Sequence, residues 1–463
     1  MKDKQILDHK NFFFIGIGGI GMSGIAKILL KEGKQVSGSD IVQNGITKDL
    51  EKLGAKVHLG HDAKNIGEAE AIIVSAAIKG NPEVDEAKKK KIPIYRRSEL
   101  LGALMAKKRG IAVAGTHGKT TTATMISMIL ESAGLDPTIV VGGEVKNAGV
   151  NAKHGKGEYF IAEACEYERS FLDLHPYAAI ITNVEADHLD TYKNLSDIVD
   201  TFKKFVSQAD KDGFLIVSAD DFNISKVIEN FEGEVITFGI SDENAIWKAK
   251  NITVKEGITY FSVYKREQKI GDFSLKIPGA HNILNALAAI ALASKLEIKL
   301  GVTREVLGEF EGVNRRFQVK GNKNNIMVID DYGHHPTEVK ATLEGLRSIY
   351  PDRSRKVWCI FQPHQYSRTK FLLEDFAHSF TEADTVIIPD IYAVRDSKKD
   401  IAGVSSEILV KEINKIQNQA VYLATFEEVT DFLKENVKSS DIVITIGAGP
   451  VYKVGEMFLN QLR

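Results

Sequence analysis

The chain has 463 residues, 60 Lys and Arg against 62 Asp and Glu, a net charge of −2, and 43% hydrophobic residues. That length fits about three globular domains, and the charge balance gives no electrostatic basis for a nucleic-acid partner. Cys165 and Cys359 are too few for a disulfide framework or a Cys-rich zinc site, the apolar stretch 283–293 is too short to span a membrane, and the charged start MKDKQILDHK lacks the apolar core of a signal peptide.

A cytoplasmic protein is therefore expected, with no indication of its oligomeric state. Glycine outnumbers proline 38 to 10, and the glycines cluster.

In chain order, short apolar runs alternate with longer helical patterns. The runs include residues 11–15, 71–74, 111–114, 159–162, 178–182, 214–217, 326–329, 357–361, 385–389 and 441–446. This alternation predicts βαβ units and parallel sheets, hence an α/β fold. A polar basic stretch at 107–110 and a turn-rich cluster at 320–325, each before a fresh strand, divide the chain into 1–108, 109–319 and 320–463. Residues 234–276 read as a small antiparallel β insertion in the middle unit. The lysine run 88–91 reads as a solvated helix end.

The first glycine cluster, Gly16-Ile-Gly18-Gly19-Ile-Gly21, follows a predicted strand and opens a helix. Such a loop brings backbone N–H groups to a pyrophosphate at the helix N-terminus. Asp40 ends the next strand, where an acid would meet a ribose. The motif does not separate a nicotinamide cofactor from another nucleotide diphosphate, and a loop that only packs helix on strand is the plain alternative.

The second cluster is Gly115-Thr116-His117-Gly118-Lys119-Thr120-Thr121. Loop amides would cradle the phosphates of ATP, Lys119 would meet the β/γ charge, and Thr120 would ligate Mg²⁺. Val113 stands where the usual spacing has glycine, so the phosphate loop is shortened. Glu163 and the pair Asp187-His188 lie at or just past strand ends, the place for Mg²⁺ ligands beside phosphate. His188 is an unusual ligand for that ion. Glu166 and Glu185 read as solvated bystanders. Asn282 reads as a helix N-cap. Asn285 lies inside an apolar helix, where an unpaired amide is costly, and so is a candidate to read an adenine edge.

In the last unit, polar loops follow four strands: residues 330–336, 362–369, 392–396 and 447–450. Together they predict a substrate rim whose arginines, Arg368 and Arg395, suit a carboxylate or phosphoryl group. The neighbours His334 and His335 seldom face one metal, and no Cys or third His lies at ligand spacing, which argues against zinc.

The segments GIGGIGMSGIA, GTHGKTTT, HNILNALAA, RRFQ, DDYGHHPTEV and FQPHQYSRT occur here in the order seen in the Mur ligases, and the resemblance spans essentially the whole chain. It implies a Rossmann-like first domain, a P-loop-type ATPase in the middle, and a Rossmann-like third domain for amino acid and nucleotide. The implied reaction is ATP-dependent joining of L-alanine to the carboxylate of UDP-N-acetylmuramate through an acyl phosphate, in peptidoglycan synthesis. Attachment of a recycled peptide to the same sugar nucleotide is the alternative with the same chemistry. A nicotinamide-dependent dehydrogenase would leave the second glycine loop unexplained. A non-catalytic nucleotide-binding regulator would have no use for Glu163 and His188.

The resemblance assigns Gly18, Gly19 and Gly21 to a pyrophosphate, residues 115–121 to ATP, and Glu163 and His188 to magnesium. Asn285 and Arg316 fall near the adenine and phosphates. His334 and Arg368 fall near the reacting carboxylate and amino acid, with His334 also a candidate proton acceptor. Two positions depart from the family pattern: Cys165 within the acidic segment, and Gln365 where many members carry arginine.

Overall fold

The structure, a computed structural model, describes residues 2–462 apart from 76, 77, 79, 144–150, 395 and 397. Arg395 of the expected rim lies outside the described residues. Three sheets succeed one another along the chain. The first is parallel, in the order β3-β2-β1-β4-β5. Its strands are β1 (Asn11–Ile15), β2 (Gln35–Asp40), β3 (Lys56–Leu59), β4 (Ala71–Val74) and β5 (Ile94–Arg96). Strand β1 is apolar on both faces because helices cover both. Phe12 and Phe14 join one core cluster, while Phe13 and Ile15 join another.

The central sheet has ten strands in the order β15-β14-β13-β12-β11-β10-β6-β9-β7-β8. They are β6 (Arg109–Ala114), β7 (Thr138–Val140), β8 (Ala152–Lys153), β9 (Tyr159–Glu163), β10 (Ala178–Ile181), β11 (Phe214–Ser218), β12 (Glu234–Gly239), β13 (Trp247–Lys255), β14 (Ile258–Lys265) and β15 (Gln268–Leu275). The strand-rich run at 234–276 divides here. Strand β12 continues the parallel sheet beside β11, and only β13, β14 and β15 form an antiparallel meander. The meander extends the same sheet, because β13 pairs with β12. Its Phe261, Val263 and Phe273 enter the central core alongside the alanine-rich helix Ala280–Lys295.

The third sheet runs β16-β17-β21-β18-β19-β20. It is made of β16 (Gln318–Lys323), β17 (Ile326–Asp331), β18 (Val357–Phe361), β19 (Thr385–Ile388), β20 (Ala420–Tyr422) and β21 (Ile442–Ile446). All its pairings are parallel except the hairpin β16–β17.

The first two domains meet where helix Arg97–Met105 packs on the short helical segment Tyr167–Asp173. Arg96 Nη2 donates to Asp173 Oδ1 at 2.9 Å. Gly102 makes the close approach possible, since a Cβ there would stand 2.0 Å from the Asp173 carbonyl oxygen. Elsewhere in a helix Gly→Ala gains about 0.5–1 kcal/mol. Here Gly102→Ala should instead lower stability by about 1–3 kcal/mol through overpacking, read as a drop in the urea midpoint.

Candidate active site

The second loop turns from β6 into helix Lys119–Ser132. Gly118 adopts φ +81°, and a Cβ there would lie 2.5 Å from Asn285 Oδ1. Only glycine lets the loop pass the Ala280–Lys295 helix this closely. Gly279, not Asn282, occupies the N-cap of that helix. Asn282 lies in its first turn, and its Nδ2 donates to Pro278 O at 2.6 Å. Asn285 is 5% exposed and paired: Thr122 Oγ1 donates to its Oδ1 at 3.1 Å, and its Nδ2 donates to Asn282 Oδ1 at 3.3 Å.

A cavity of about 390 Å³ opens beside this loop, between the second and third domains. His117, Gly118, Thr120, Thr121, Asn285 and Arg316 all line it, as do Asn183, Glu185, His281, Asp331 and Glu338. Six predicted nucleotide residues thus surround one space of ligand size. Lys119 turns elsewhere. Its ammonium donates to the carbonyls of Gly115 and Thr116 and to both carboxylate oxygens of Glu166, at 3.0 and 2.9 Å. Burial opposes the charge on Lys119, but Glu166 outweighs it and raises the pKa.

Glu166 is therefore no solvated bystander. It is 3% exposed and lies 3.6 Å from His188 Nε2. His188 holds φ +53°, rare for a residue with a side chain. The Thr191 and Tyr192 amides donate to its carbonyl and fix that turn. Glu163 accepts a hydrogen bond from the Gly142 amide at 2.5 Å, and neighbouring Gly143 abuts the Thr120 methyl. Carboxylate and hydroxyl oxygens at these positions are the hard donors Mg²⁺ takes beside phosphate.

The other presumed bystander, Glu185, is engaged from two domains. Thr337 Oγ1 donates to it at 2.6 Å, and His117 and His335 lie 3.6 Å away. Burial opposes its charge, yet His117 and Thr337 hold its carboxyl down to about 2. Glu338 is ion-paired with Arg316 at 3.0 Å and lies 3.5 Å from His117. Burial disfavours the His117 imidazolium, but Glu338 and Glu185 together raise its pKa to about 9.

His334 and Arg368 lie on another flank. Burial pushes His334 down to about 3, so it stays neutral and suits hydrogen bonding better than proton uptake. Arg368 donates from Nε and Nη2 to Asp187 Oδ1, at 3.1 and 2.9 Å, across the domain seam. Both side chains are 6% exposed and wall a small cavity of about 20 Å³ that also includes His188 and Gln365.

In the first domain, Asp40 Oδ2 accepts the Gly18 amide at 2.9 Å and so braces the glycine loop. Arg97 reaches over Gly21, within 3.3 Å of where a Cβ would stand. Asn151 of the second domain donates to Ile20 O at 2.7 Å. Sequence reasoning missed Arg97, Asn151, Glu166 and Glu185. Glu166 and Glu185 carried a local signal, as carboxylates beside Glu163 and Asp187; Arg97 and Asn151 lie far along the chain from the glycine loop they reach.

Family models match all three parts. The Mur ligase family catalytic domain matches residues 11–109, the Mur ligase middle domain residues 113–293, and the Mur ligase glutamate ligase domain residues 315–449. The chain belongs to the Mur ligase family. Within it, the chain is 47% identical to the UDP-N-acetylmuramate–L-alanine ligase of Acetivibrio thermocellus, over 100% of this chain and 98% of that one. It is 48% identical to the enzyme of that name from Caldanaerobacter subterraneus subsp. tengcongensis, over 98% of each. The UDP-N-acetylmuramate-alanine ligase structure from Thermotoga maritima superposes with a TM-score of 0.82, at 29% identity, covering 97% of this chain and 98% of that one.

Removing one partner of a buried ion pair strands the other charge. Asp187→Asn should therefore cost about 3–5 kcal/mol in urea unfolding. Arg353→Ala, at the exposed Arg353–Glu382 pair, should change it by no more than about 1 kcal/mol.

Proposed function

We propose that this chain is an ATP-dependent ligase that joins L-alanine to the carboxylate of UDP-N-acetylmuramate, releasing ADP and phosphate. The observation that carries this reading is full-length likeness to enzymes named for that reaction, with six of the nine predicted nucleotide residues around one interdomain cavity. The reading implies a cytoplasmic enzyme of peptidoglycan precursor synthesis. Among the described residues no helix is long and apolar enough to cross a membrane.

The chemistry needs activation, because a carboxylate is a poor electrophile. Transfer of the ATP γ-phosphoryl gives an acyl phosphate with a good leaving group. The neutral amine then attacks, and phosphate departs. The cavity at His117, Gly118 and Thr121 takes the ATP, with Asn285 toward the base and Arg316 toward the phosphates. Lys119 neutralises charge during phosphoryl transfer, and arriving phosphate competes with Glu166 for it. Thr120 and Glu163 would hold Mg²⁺, with His188 beside them; when bound, the ion offsets phosphate charge. The loop at Gly18, Gly19 and Gly21 takes the UDP pyrophosphate, with Arg97 as an added cation. Arg368, fixed by Asp187, and neutral His334 orient the carboxylate and amine. Three domains closing on two nucleotides and an amino acid also exclude the water that would hydrolyse the acyl phosphate.

Purified chain with ATP, Mg²⁺ and UDP-N-acetylmuramate should release phosphate when L-alanine is added, and markedly less with the recycled tripeptide. A preference for the tripeptide would move the assignment to peptide ligation. Lys119→Ala should abolish release while UDP-N-acetylmuramate still binds, measured by calorimetry. Near-normal release by that variant would refute the ATP site.

A further inference from the structure

A set of three converging donors lies at the edge of the main cavity, on residues distinct from the proposed Mg²⁺ ligands. Glu185 Oε2 stands 3.6 Å from His117 Nε2 and 3.6 Å from His335 Nδ1. All three donor atoms lie within 4.8 Å of one another. At 3.6 Å neither contact is a hydrogen bond. A tetrahedral ion with bonds of about 2.0–2.1 Å holds its ligands roughly 3.4 Å apart, close to the spacing found.

The ring orientations agree. The Ala186 carbonyl can only accept, so His335 Nε2, 3.2 Å from it, carries the ring hydrogen. His335 Nδ1 then holds the lone pair of the ring, which accepts the Thr337 amide at a long 3.4 Å and lies 3.6 Å from Glu185 Oε2. His117 Nε2 is buried and has no hydrogen-bond partner. A bound ion would replace the His117 proton and take the His335 lone pair from its long contact with the Thr337 amide. Outer contacts hold the set in place: Ala186 O fixes the His335 ring, and the Thr337 hydroxyl fixes Glu185 at 2.6 Å. Two imidazoles and one carboxylate are a donor set for zinc-like ions, not for Mg²⁺.

We propose that His117, Glu185 and His335 bind a divalent transition metal of the zinc type, clasping the phosphate loop to the third domain. The adjacent-histidine objection does not reach this site. Only His335 faces Glu185, while His334 Nδ1 lies against Tyr332 O. The second imidazole comes from the phosphate loop. A proton on His117 is the metal's competitor. A bound ion fixes the cavity edge, so turnover falls and excess Mg²⁺ does not restore it.

The test is titration of the tag-free, metal-stripped full chain with Co²⁺ alone, read by the visible absorption of tetrahedral Co²⁺. One tetrahedral Co²⁺ per chain is expected, displaced by equimolar Zn²⁺, insensitive to excess Mg²⁺ and retained in Glu163→Gln. His335→Asn keeps a side chain able to cap its helix, and Glu185→Gln keeps the shape of the carboxylate. Each should weaken Co²⁺ binding at least about tenfold, with folding checked by circular dichroism. Absence of the tetrahedral spectrum in the wild-type chain overturns the site. So does unchanged affinity in either folded variant, or loss of the spectrum to Mg²⁺ or to Glu163→Gln.

Discussion

Buried opposite charges have to meet, and in this chain they meet across the seam between the second and third domains. Asp187 follows β10 and Arg368 follows β18, yet the two side chains close on each other at 2.9 Å with almost no solvent. Glu338, in the first turn of the helix after β17, gathers Arg316 and His117 in the same way. Any one of these groups would be costly alone in the interior. Their pairing sets the carboxyl ends of two parallel sheets face to face, which is where an open α/β sheet binds its ligands. The main cavity is the space left between them.

The same constraint shapes the chemistry. Glu166 holds Lys119 beside the loop, so a phosphate there has to compete with a carboxylate for the ammonium. Arg368 is likewise aimed by Asp187. Neutral His334 and His281, both pushed down by burial, leave the cationic work to lysine and arginine. His117 is the exception. Two carboxylates from different elements surround it, which makes the phosphate loop sensitive to where the third domain sits.

Much of this was legible in the sequence because it is local. Strand β1 reads directly as a run of apolar residues covered on both faces, and the glycines of the two loops announce strand–turn–helix junctions. The motif residues around the cavity followed from the same reading. What stayed hidden depends on partners far along the chain. Glu166 and Glu185 look like solvated acids until folding brings Lys119 to one and His117, His335 and Thr337 to the other. Asn285 looks unpaired until Thr122 arrives from the facing helix. The run at 234–276 shows strand periodicity, but nothing local to Glu234 shows that β12 pairs in parallel with β11. Asn282 has the composition of an N-cap, but Gly279 takes that place with its φ of +97°.

Phosphoryl transfer to the sugar-nucleotide carboxylate is the step that the seam, the loops and the bound charges together serve. It is tested most directly by isotope transfer. UDP-N-acetylmuramate labelled with oxygen-18 in its carboxylate is turned over with ATP, Mg²⁺ and L-alanine, and the released phosphate is analysed by mass spectrometry. An acyl phosphate delivers one labelled oxygen to each phosphate and leaves the other in the new amide. Phosphate released without label, alongside amide formation, would contradict activation of the carboxylate by ATP.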